Sequence, residues 1–304
     1  MMQKKVIHSY WDCFGKSNTQ GLNAYDILMW ALSVIKYKKY GFITKLYCDK
    51  ASYEMLNKYH LIELYDEIDT ELLEQNFNIL KASYWAMPKI LSYKHELELG
   101  SDCFVSDTDM IPFCNLERFF NYDLSVWSND EHLEHTIIYL PKESLSTPNG
   151  YVFPKWFTWR ATPLNSGIIY FKDKDNALEY CNEVIRYVTN NKNNQQNNTC
   201  QSMCFAEQRI LGEYASYKQL QVGVVRPARK SCLNKNAWHL FQHKLSHKKE
   251  EFEIFMLYMI KEENVELYNK MLSIPAIAEV NNKYLEKGHI DAQNYVYSFM
   301  GVEY

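Results

Sequence analysis

Short apolar runs alternate with amphipathic stretches along the first third of the chain. Runs of strand length lie at residues 4–11, 42–49, 62–69 and 102–109. The stretches between them, at 22–41, 52–61 and 71–95, carry apolar residues at the three- and four-residue spacing of helices. Strands and helices that alternate in this way predict βαβ units and a mostly parallel sheet. Within the last of these stretches, Pro88 predicts either a kink or the start of a new helix.

The rest of the chain predicts a mixed sheet followed by helices. Strands are expected at 122–130 and 165–171, and helices at 176–188 and 203–215. The Asn-rich tract 189–199 is of low complexity and predicts a surface loop. From residue 236 onward a strand or loop gives way to helical periodicity that continues to the end. Because no repeat or linker interrupts the pattern, we predict an α/β domain over 1–245 and, over 246–304, a C-terminal helical extension packed on it.

Composition and charge exclude several classes of function. The 304 residues are 47% apolar and 23% charged, as in ordinary globular proteins. A net charge of −4 provides no basic field for nucleic acid or for an anionic membrane. The longest apolar stretches are shorter than the ~18 residues that a membrane helix needs, and the N-terminus lacks the apolar run of a signal peptide. The eight cysteines are scattered, without the paired spacing of a zinc site. We therefore expect a cytoplasmic protein with reduced thiols.

Polar and aromatic side chains stand where three of the predicted strands end. They are those of His8 to Trp11, Asp49, and the pair Asp107 and Asp109. In sheets of this kind, ligands bind beyond the carboxyl ends of the strands. These side chains are therefore expected to line one crevice.

The segment "FVSDTDM" places two carboxylates at the end of the fourth predicted strand. In an extended chain Asp107 and Asp109 point to the same side, where they repel each other unless a cation or a proton lies between them. A divalent ion such as Mg²⁺ or Mn²⁺ satisfies both and can bridge them to the phosphates of a substrate. Two other interpretations stay open here. One is a phosphatase of the haloacid dehalogenase type, with Asp107 as nucleophile and Asp109 as general acid; the other is a strand end followed by a solvated turn.

Six short segments occur in an order that resembles the GT-A glycosyltransferases, in particular the glycogenin-like and bacterial nucleotide-sugar transferase types. In that family a DxD motif that binds a divalent metal ends a central strand. The segments, spread over residues 6–244, are "VIHSYW", "WAMPKI", "FVSDTDMIPF", "LNSGIIYF", "FAEQRIL" and "WHLFQHK". The last one departs from the H-x-x-G-x-x-K pattern of the family, because Gln242 replaces the Gly and the Lys comes one residue early.

The resemblance implies a fold, a cofactor and a set of site residues. The fold would be an α/β GT-A fold, which is Rossmann-like, with a mixed central sheet and a C-terminal helical extension. Mn²⁺ or Mg²⁺ would be held by Asp107 and Asp109, with His239 as third ligand and His243 as its rival. The predicted catalytic residues are Asp107, Asp109 and Glu207. The predicted substrate-binding residues are His8, Tyr10, Trp11, Lys89, Asn165, Gly167, Gln208 and Lys244.

The chemistry of these residue types agrees with that assignment. A divalent ion and a lysine stabilise the negative charge that develops on a nucleoside diphosphate leaving group. Asn165 can bind sugar hydroxyls through its donors and its acceptor, and Gly167 lets the backbone approach closely. Glu207 is the candidate general base if the reaction inverts the anomeric centre, whereas the likeness to glycogenin favours retention.

We therefore expect a metal-dependent glycosyltransferase of the hexosyltransferase type. Its donor would be a nucleotide-sugar, with a UDP-sugar favoured, and its acceptor a glycan or another hydroxyl compound. Nucleic acid is not an expected partner. Two alternatives remain: the phosphatase, and a non-catalytic nucleotide-sugar-binding protein on a degenerate GT-A scaffold.

Overall fold

A computed structural model describes residues 4–12, 21–80, 84–130, 139, 151–190, 199–226, 236–240, 249–287 and 294. The strands are β1 (Lys5–Tyr10), β2 (Ile43–Cys48), β3 (Glu67–Asp69), β4 (Cys103–Ser106), β5 (Met110–Pro112), β6 (Leu124–Asn129), β7 (Leu164–Phe171), β8 (Val222–Val224) and β9 (Ala237–His239). The α-helices are α1 (Ala24–Lys39), α2 (Lys50–Asn57), α3 (Leu72–Gln75), α4 (Met87–Glu98), α5 (Lys174–Asn190), α6 (Thr199–Cys204), α7 (Ile210–Lys218), α8 (Lys249–Glu263), α9 (Val265–Met271) and α10 (Pro275–Lys287). Ile62–Leu64 and Leu116–Phe119 form 3₁₀ turns, and Phe205–Arg209 forms a π-helix between α6 and α7.

Seven strands form the central sheet in the order β3-β2-β1-β4-β7-β6-β8. The first four of these are parallel to one another, and β8 is parallel to β6. β7 is antiparallel to both of its neighbours, β4 and β6. The predicted α/β class with a mixed central sheet is therefore confirmed. The antiparallel pairing also sets the beginning of β7 beside the carboxyl end of β4.

Alternating side chains along the sheet divide the core into two. Val6 and Phe104 belong to a first core with α1, and Ile7 and Val105 to a second core with α4, α5 and α7. The C-terminal helices α8 and α10 pack on α1 and complete the first core. The domain boundary at residue 245 falls outside the described residues and stays a prediction.

Two predicted elements differ from the structure. The strand expected over 62–69 is reduced to β3, because Ile62 and Leu64 enter the core from a 3₁₀ turn and do not alternate between two faces. The helix expected over 71–95 is divided into α3 and α4. Pro88 lies in the first turn of α4, where its missing N–H has no intrahelical partner to lose.

Three further expectations concern segments and residue types. Residues 191–198 of the low-complexity tract lie outside the described residues. In the part of the chain that the structure describes, no helix has the length and the apolar character that crossing a membrane requires. Cys48, Cys103 and Cys181 are buried and free.

Candidate functional site

Two acidic residues and a histidine converge at the carboxyl end of β4. Asp107 and Asp109 follow this strand, and the antiparallel pair of β5 and β9 sets His239 opposite Met110. The backbone N–H of Leu240 donates to Asp109 O at 3.0 Å, which fastens the end of β9 to the acidic segment. His239 Nε2 lies 3.4 Å from Asp109 Oδ1 and 4.0 Å from Asp107 Oδ2. One potential ligand atom from each of the three residues lies within 4.8 Å of the others.

This cluster fits a divalent cation. Asp109 is only 8% exposed, whereas Asp107 is half-buried, and two carboxylates so close together repel each other. Burial raises the pKa of Asp107, an effect that Lys89 counters and Asp109 reinforces. Burial lowers the pKa of His239, but the two carboxylates outweigh it, so the pKa is raised. Carboxylate oxygens with an imidazole nitrogen are a suitable donor set for Mn²⁺ or Mg²⁺, and a cation there would relieve the repulsion.

A buried lysine ties the metal cluster to two neighbouring segments. Lys89, from the first turn of α4, is 4% exposed. Its Nζ lies 2.7 Å from Asp107 Oδ1, donates to Ser166 O at 2.9 Å and forms an ion pair with Glu207. An ammonium group has three N–H donors, so these three contacts occupy all of them. The structure thus engages Lys89 with the protein's own oxygens, and its contact with a nucleotide stays a prediction.

Glu207 lies within the π-helix and is 2% exposed. Single-turn π-helices within α-helices are frequently found at functional sites. Burial raises the pKa of Glu207 to about 7, although the ion pair with Lys89 opposes this. The Tyr180 hydroxyl donates to the backbone oxygen of Glu207 at 2.9 Å and helps to hold the π-helix against α5. The structure brings Glu207 to Lys89, and its catalytic role stays a prediction.

The beginning of β7 supplies a second group of polar atoms. Asn165 Oδ1 accepts from Gly167 N at 3.0 Å, and Asn165 Nδ2 donates to Asp130 Oδ2 at 3.3 Å. A Cβ atom on Gly167 would lie 3.3 Å from Met110 Sδ and 3.4 Å from His239 Cε1. These distances are tight for a side chain, so the glycine allows β7 to lie close to the metal cluster.

Sequence reasoning missed two members of this group, Asp130 and Tyr139, which are both buried. Asp130 accepts from Ser128 Oγ at 2.8 Å and from the Tyr139 hydroxyl at 2.9 Å. The same hydroxyl contacts Gln208 Oε1, so the network links a predicted substrate-binding residue to the end of β6. The signal was the polar "SND" at the end of β6: Asp130 follows β6 directly, as Asp107 follows β4.

The side chains at the end of β1 are largely buried. His8 is fully buried with its Nδ1 2.7 Å from the Tyr65 hydroxyl, and burial lowers its pKa to about 3. Tyr10 packs against the first core, and Trp11 donates its indole N–H to Trp85 O at 3.2 Å. These contacts fix the side chains in place, and their part in binding a substrate stays a prediction.

The remaining predicted positions are Asp49, His243 and Lys244. Asp49 Oδ1 accepts from the backbone N–H of Asp12 at 3.2 Å, which joins the ends of β1 and β2. Of the two histidines considered as third metal ligand, the structure brings His239 to the acidic pair. His243 and Lys244 lie outside the described residues.

Similarity to known proteins is limited. No curated protein matches the chain. The apo form of mouse xyloside xylosyltransferase 1 is 12% identical with a TM-score of 0.43, over 83% of this chain and 94% of that one. The PaToxG glycosyltransferase is 12% identical with a TM-score of 0.39, over 90% of this chain and 79% of that one. The galactosyltransferase LgtC, in complex with donor and acceptor sugar analogues, is 12% identical with a TM-score of 0.36, over 73% of each chain. At these values the three structures assign no activity to this chain.

A family model gives the broader match. The model of DUF6734, a family of unknown function, matches residues 4–274. This range contains Asp107, Asp109 and His239 as well as Lys89 and Glu207. Because the match spans most of the chain, the protein belongs to the DUF6734 family.

Proposed function

We propose that this protein is a metal-dependent glycosyltransferase of the GT-A type, which transfers a sugar from a nucleotide-sugar, with a UDP-sugar favoured, to a hydroxyl acceptor. The observation that carries the proposal is the cluster of Asp107, Asp109 and His239 at the carboxyl end of β4. In α/β sheets this edge is where ligands bind. Mn²⁺ or Mg²⁺ bound there would neutralise the diphosphate, whose negative charge grows as the glycosidic bond breaks.

The role of Lys89 in this proposal is to orient Asp107. Its ammonium engages Oδ1 of Asp107, while Oδ2 lies on the side of His239. This contact holds the carboxylate in one orientation before a cation arrives. Such support keeps metal ligands in a productive geometry.

Asn165 is the proposed contact for the donor sugar. Its amide orientation is fixed, because Oδ1 accepts from Gly167 N and Nδ2 donates to Asp130. A side-chain amide has two lone pairs and two N–H groups. One of each therefore remains for sugar hydroxyls, at the strand beginning that lies beside the metal cluster.

We assign Glu207 a supporting role. It is the candidate base if the reaction inverts the anomeric centre, and a pKa of about 7 is well matched to proton exchange at neutral pH. However, its carboxyl is buried against Lys89. In that position Glu207 is better placed to hold Lys89, which in turn holds Asp107, than to remove a proton from an acceptor.

The test is a thermal-shift panel of nucleotide-sugars with Mn²⁺, with Mg²⁺ and with EDTA. One donor should stabilise the protein only when the metal is present, and at a hundred times its dissociation constant it should add about 2.7 kcal/mol. Asp109→Asn and His239→Gln should remove this response. The matched control is Asp175→Asn, which removes an exposed carboxylate from the first turn of α5 and should keep it.

The outcomes separate the alternatives. If no nucleotide-sugar gives a metal-dependent response, the proposal is wrong. If one binds but neither hydrolysis nor transfer of its sugar is detected with a range of hydroxyl acceptors, the protein is a binding protein. Release of phosphate from simple phosphomonoesters, with phosphate trapped on Asp107, would instead support the phosphatase.

A further inference from the structure

Arg226 is a buried cation whose charge is not balanced within the described structure. It follows β8 directly, is 9% exposed, and its Nε is buried without a hydrogen-bond partner. Among the described residues, no ion pair, hydrogen bond or aromatic ring contact engages its guanidinium. Its backbone N–H donates to Trp127 O at 2.8 Å, so the position of the residue at the end of β8 is fixed.

The buried lysines of the described structure have carboxylate partners. Lys36 pairs with Glu263 at 2.7 Å, and Lys89 pairs with Asp107 at 2.7 Å. A guanidinium does not lose its proton in a protein, and a buried ion without a counter-charge is strongly unfavourable. Buried charges without a counter-charge are therefore expected mainly at functional sites. A ligand anion would satisfy Arg226.

The strand order indicates which part of a substrate Arg226 can reach. β6 and β8 run in the same direction as β4, because β7 is antiparallel to both β4 and β6. The carboxyl end of β8 is therefore at the same edge of the sheet as the metal cluster. Neighbouring strands are separated by about 4.8 Å, which puts β8 roughly 10 Å from β7 and roughly 14 Å from β4.

Trp127 contacts both His239, in the metal cluster, and Arg226, at the end of β8. The indole of Trp127 on β6 makes an edge-to-face contact with His239, with ring centroids 5.6 Å apart, while its backbone oxygen holds Arg226. Along this edge the order is thus the metal cluster at β4, Asn165 at β7, Trp127 at β6 and Arg226 at β8.

We propose that Arg226 binds a carboxylate or phosphate group of the acceptor. The proposal rests on the proposed function, in which the diphosphate lies at β4 and the donor sugar at β7. The next positions along the edge, at β6 and β8, are then those of the acceptor, and the diphosphate is three strands away. The planar guanidinium presents paired N–H groups that match the two oxygens of such an anion.

The experiment compares wild type with Arg226→Met and Arg226→Lys, and uses Lys172→Met as the control. Lys172 is exposed and follows β7 at the opposite edge of the sheet, so its replacement removes one positive charge far from Arg226. The probe is inorganic phosphate in EDTA at constant ionic strength, titrated by thermal shift and calorimetry. Phosphate should bind wild type and Lys172→Met, and bind Arg226→Met about tenfold or more weakly. Arg226→Lys should lie between them.

Two further measurements link the anion site to the acceptor. UDP with Mg²⁺ should bind all four proteins equally and should not displace phosphate from wild type. Without ligand, Arg226→Met should be at least as stable to urea as wild type, because it removes a buried charge that has no counter-charge. A glycoside that carries a carboxylate should compete with phosphate, and the corresponding neutral glycoside should not.

Several results would overturn the proposal. Phosphate binding that is unchanged in Arg226→Met shows an adventitious ion only. A marked loss of stability in ligand-free Arg226→Met shows that the guanidinium has a partner within the protein. Weaker UDP binding in Arg226→Met assigns the charge to the donor diphosphate. If phosphate binding depends on Arg226 but no nucleotide-sugar binds wild type, the anion site stands while the proposed function and the acceptor assignment both fail.

Discussion

Replacing Glu207 by Gln tests the electrostatics of the candidate site without any substrate. Gln keeps the size of the side chain and an acceptor oxygen for Lys89, but it cannot ionise. Burial raises the pKa of Glu207 from 4.5 to about 7, with Lys89 opposing the rise. The folded protein therefore retains a proton on this carboxyl at pH values where the unfolded chain has released it.

The sign and the size of the effect follow from this difference. Because the folded state binds the extra proton, the free energy of unfolding falls as the pH rises from the unfolded pKa to the folded pKa. At about 1.4 kcal/mol for each pH unit, a rise from 4.5 to about 7 corresponds to about 3 kcal/mol. The Gln variant lacks this titration. Its stability relative to wild type should increase by about 3 kcal/mol between about pH 4 and about pH 8.

Urea denaturation in EDTA at a series of pH values measures the difference. The control is Glu54→Gln, which changes an exposed glutamate on α2 and should follow the wild-type profile. If wild type and Glu207→Gln keep a constant difference in unfolding free energy from about pH 4 to about pH 8, then burial does not raise this pKa and the account of the site is wrong.

Two other substitutions probe the site, and one probes the packing of α7. Asp109→Asn removes one of two repelling charges, so the metal-free protein should be at least as stable to urea as wild type, while the stabilisation by Mn²⁺ should be lost. In Gly212→Ala the new Cβ would lie 2.1 Å from Thr162 O; α7 must move away, which should lower the unfolding free energy by about 1–3 kcal/mol in a urea titration. Asp130→Asn weakens a hydrogen bond that orients Asn165 and should raise the dissociation constant of the donor, roughly tenfold for a loss of about 1.4 kcal/mol. A loss of stability with unchanged donor affinity would show that Asp130 is only structural.

The sequence was sufficient to predict those parts of the site in which a strand and its functional residues are adjacent in the chain. The acidic pair could be identified because "FVSDTDM" combines an apolar strand with carboxylates at positions i and i+2. The structure ends β4 at Ser106, so the pair follows the strand and does not lie within it, as the predicted run 102–109 had placed it. The apolar run of β7 is equally local, and the resemblance of "LNSGIIYF" to a strand of the GT-A family led to Asn165 and Gly167 at its beginning. In each case a strand and the polar residues at one of its ends are contiguous in the chain.

Features that depend on contacts between distant segments were harder to predict. His239 reaches the acidic pair through β5 and β9, two strands of three residues each, and strands that short have no detectable periodicity. Lys89 resembles any lysine on the surface of a helix until α4 packs against β4. The π-helix around Glu207 has no sequence signal that distinguishes it from the α-helix predicted over 203–215.

The charges of the site explain why its residues depend on one another. Asp107, Asp109 and Glu207 carry three negative charges when ionised, and among the described residues Lys89 offsets one of them through its ion pairs with Asp107 and Glu207. The pKa values of Asp107, Glu207 and His239 are raised. These groups therefore keep their protons to higher pH, which reduces the excess of negative charge. A divalent cation would remove an excess of two negative charges, so metal binding and proton release must be coupled at this site. All three donors of Lys89 are used within the protein. Under the proposed function, a bound metal and not Lys89 would therefore neutralise the diphosphate, and Lys89 would keep Asp107 in place to hold that metal.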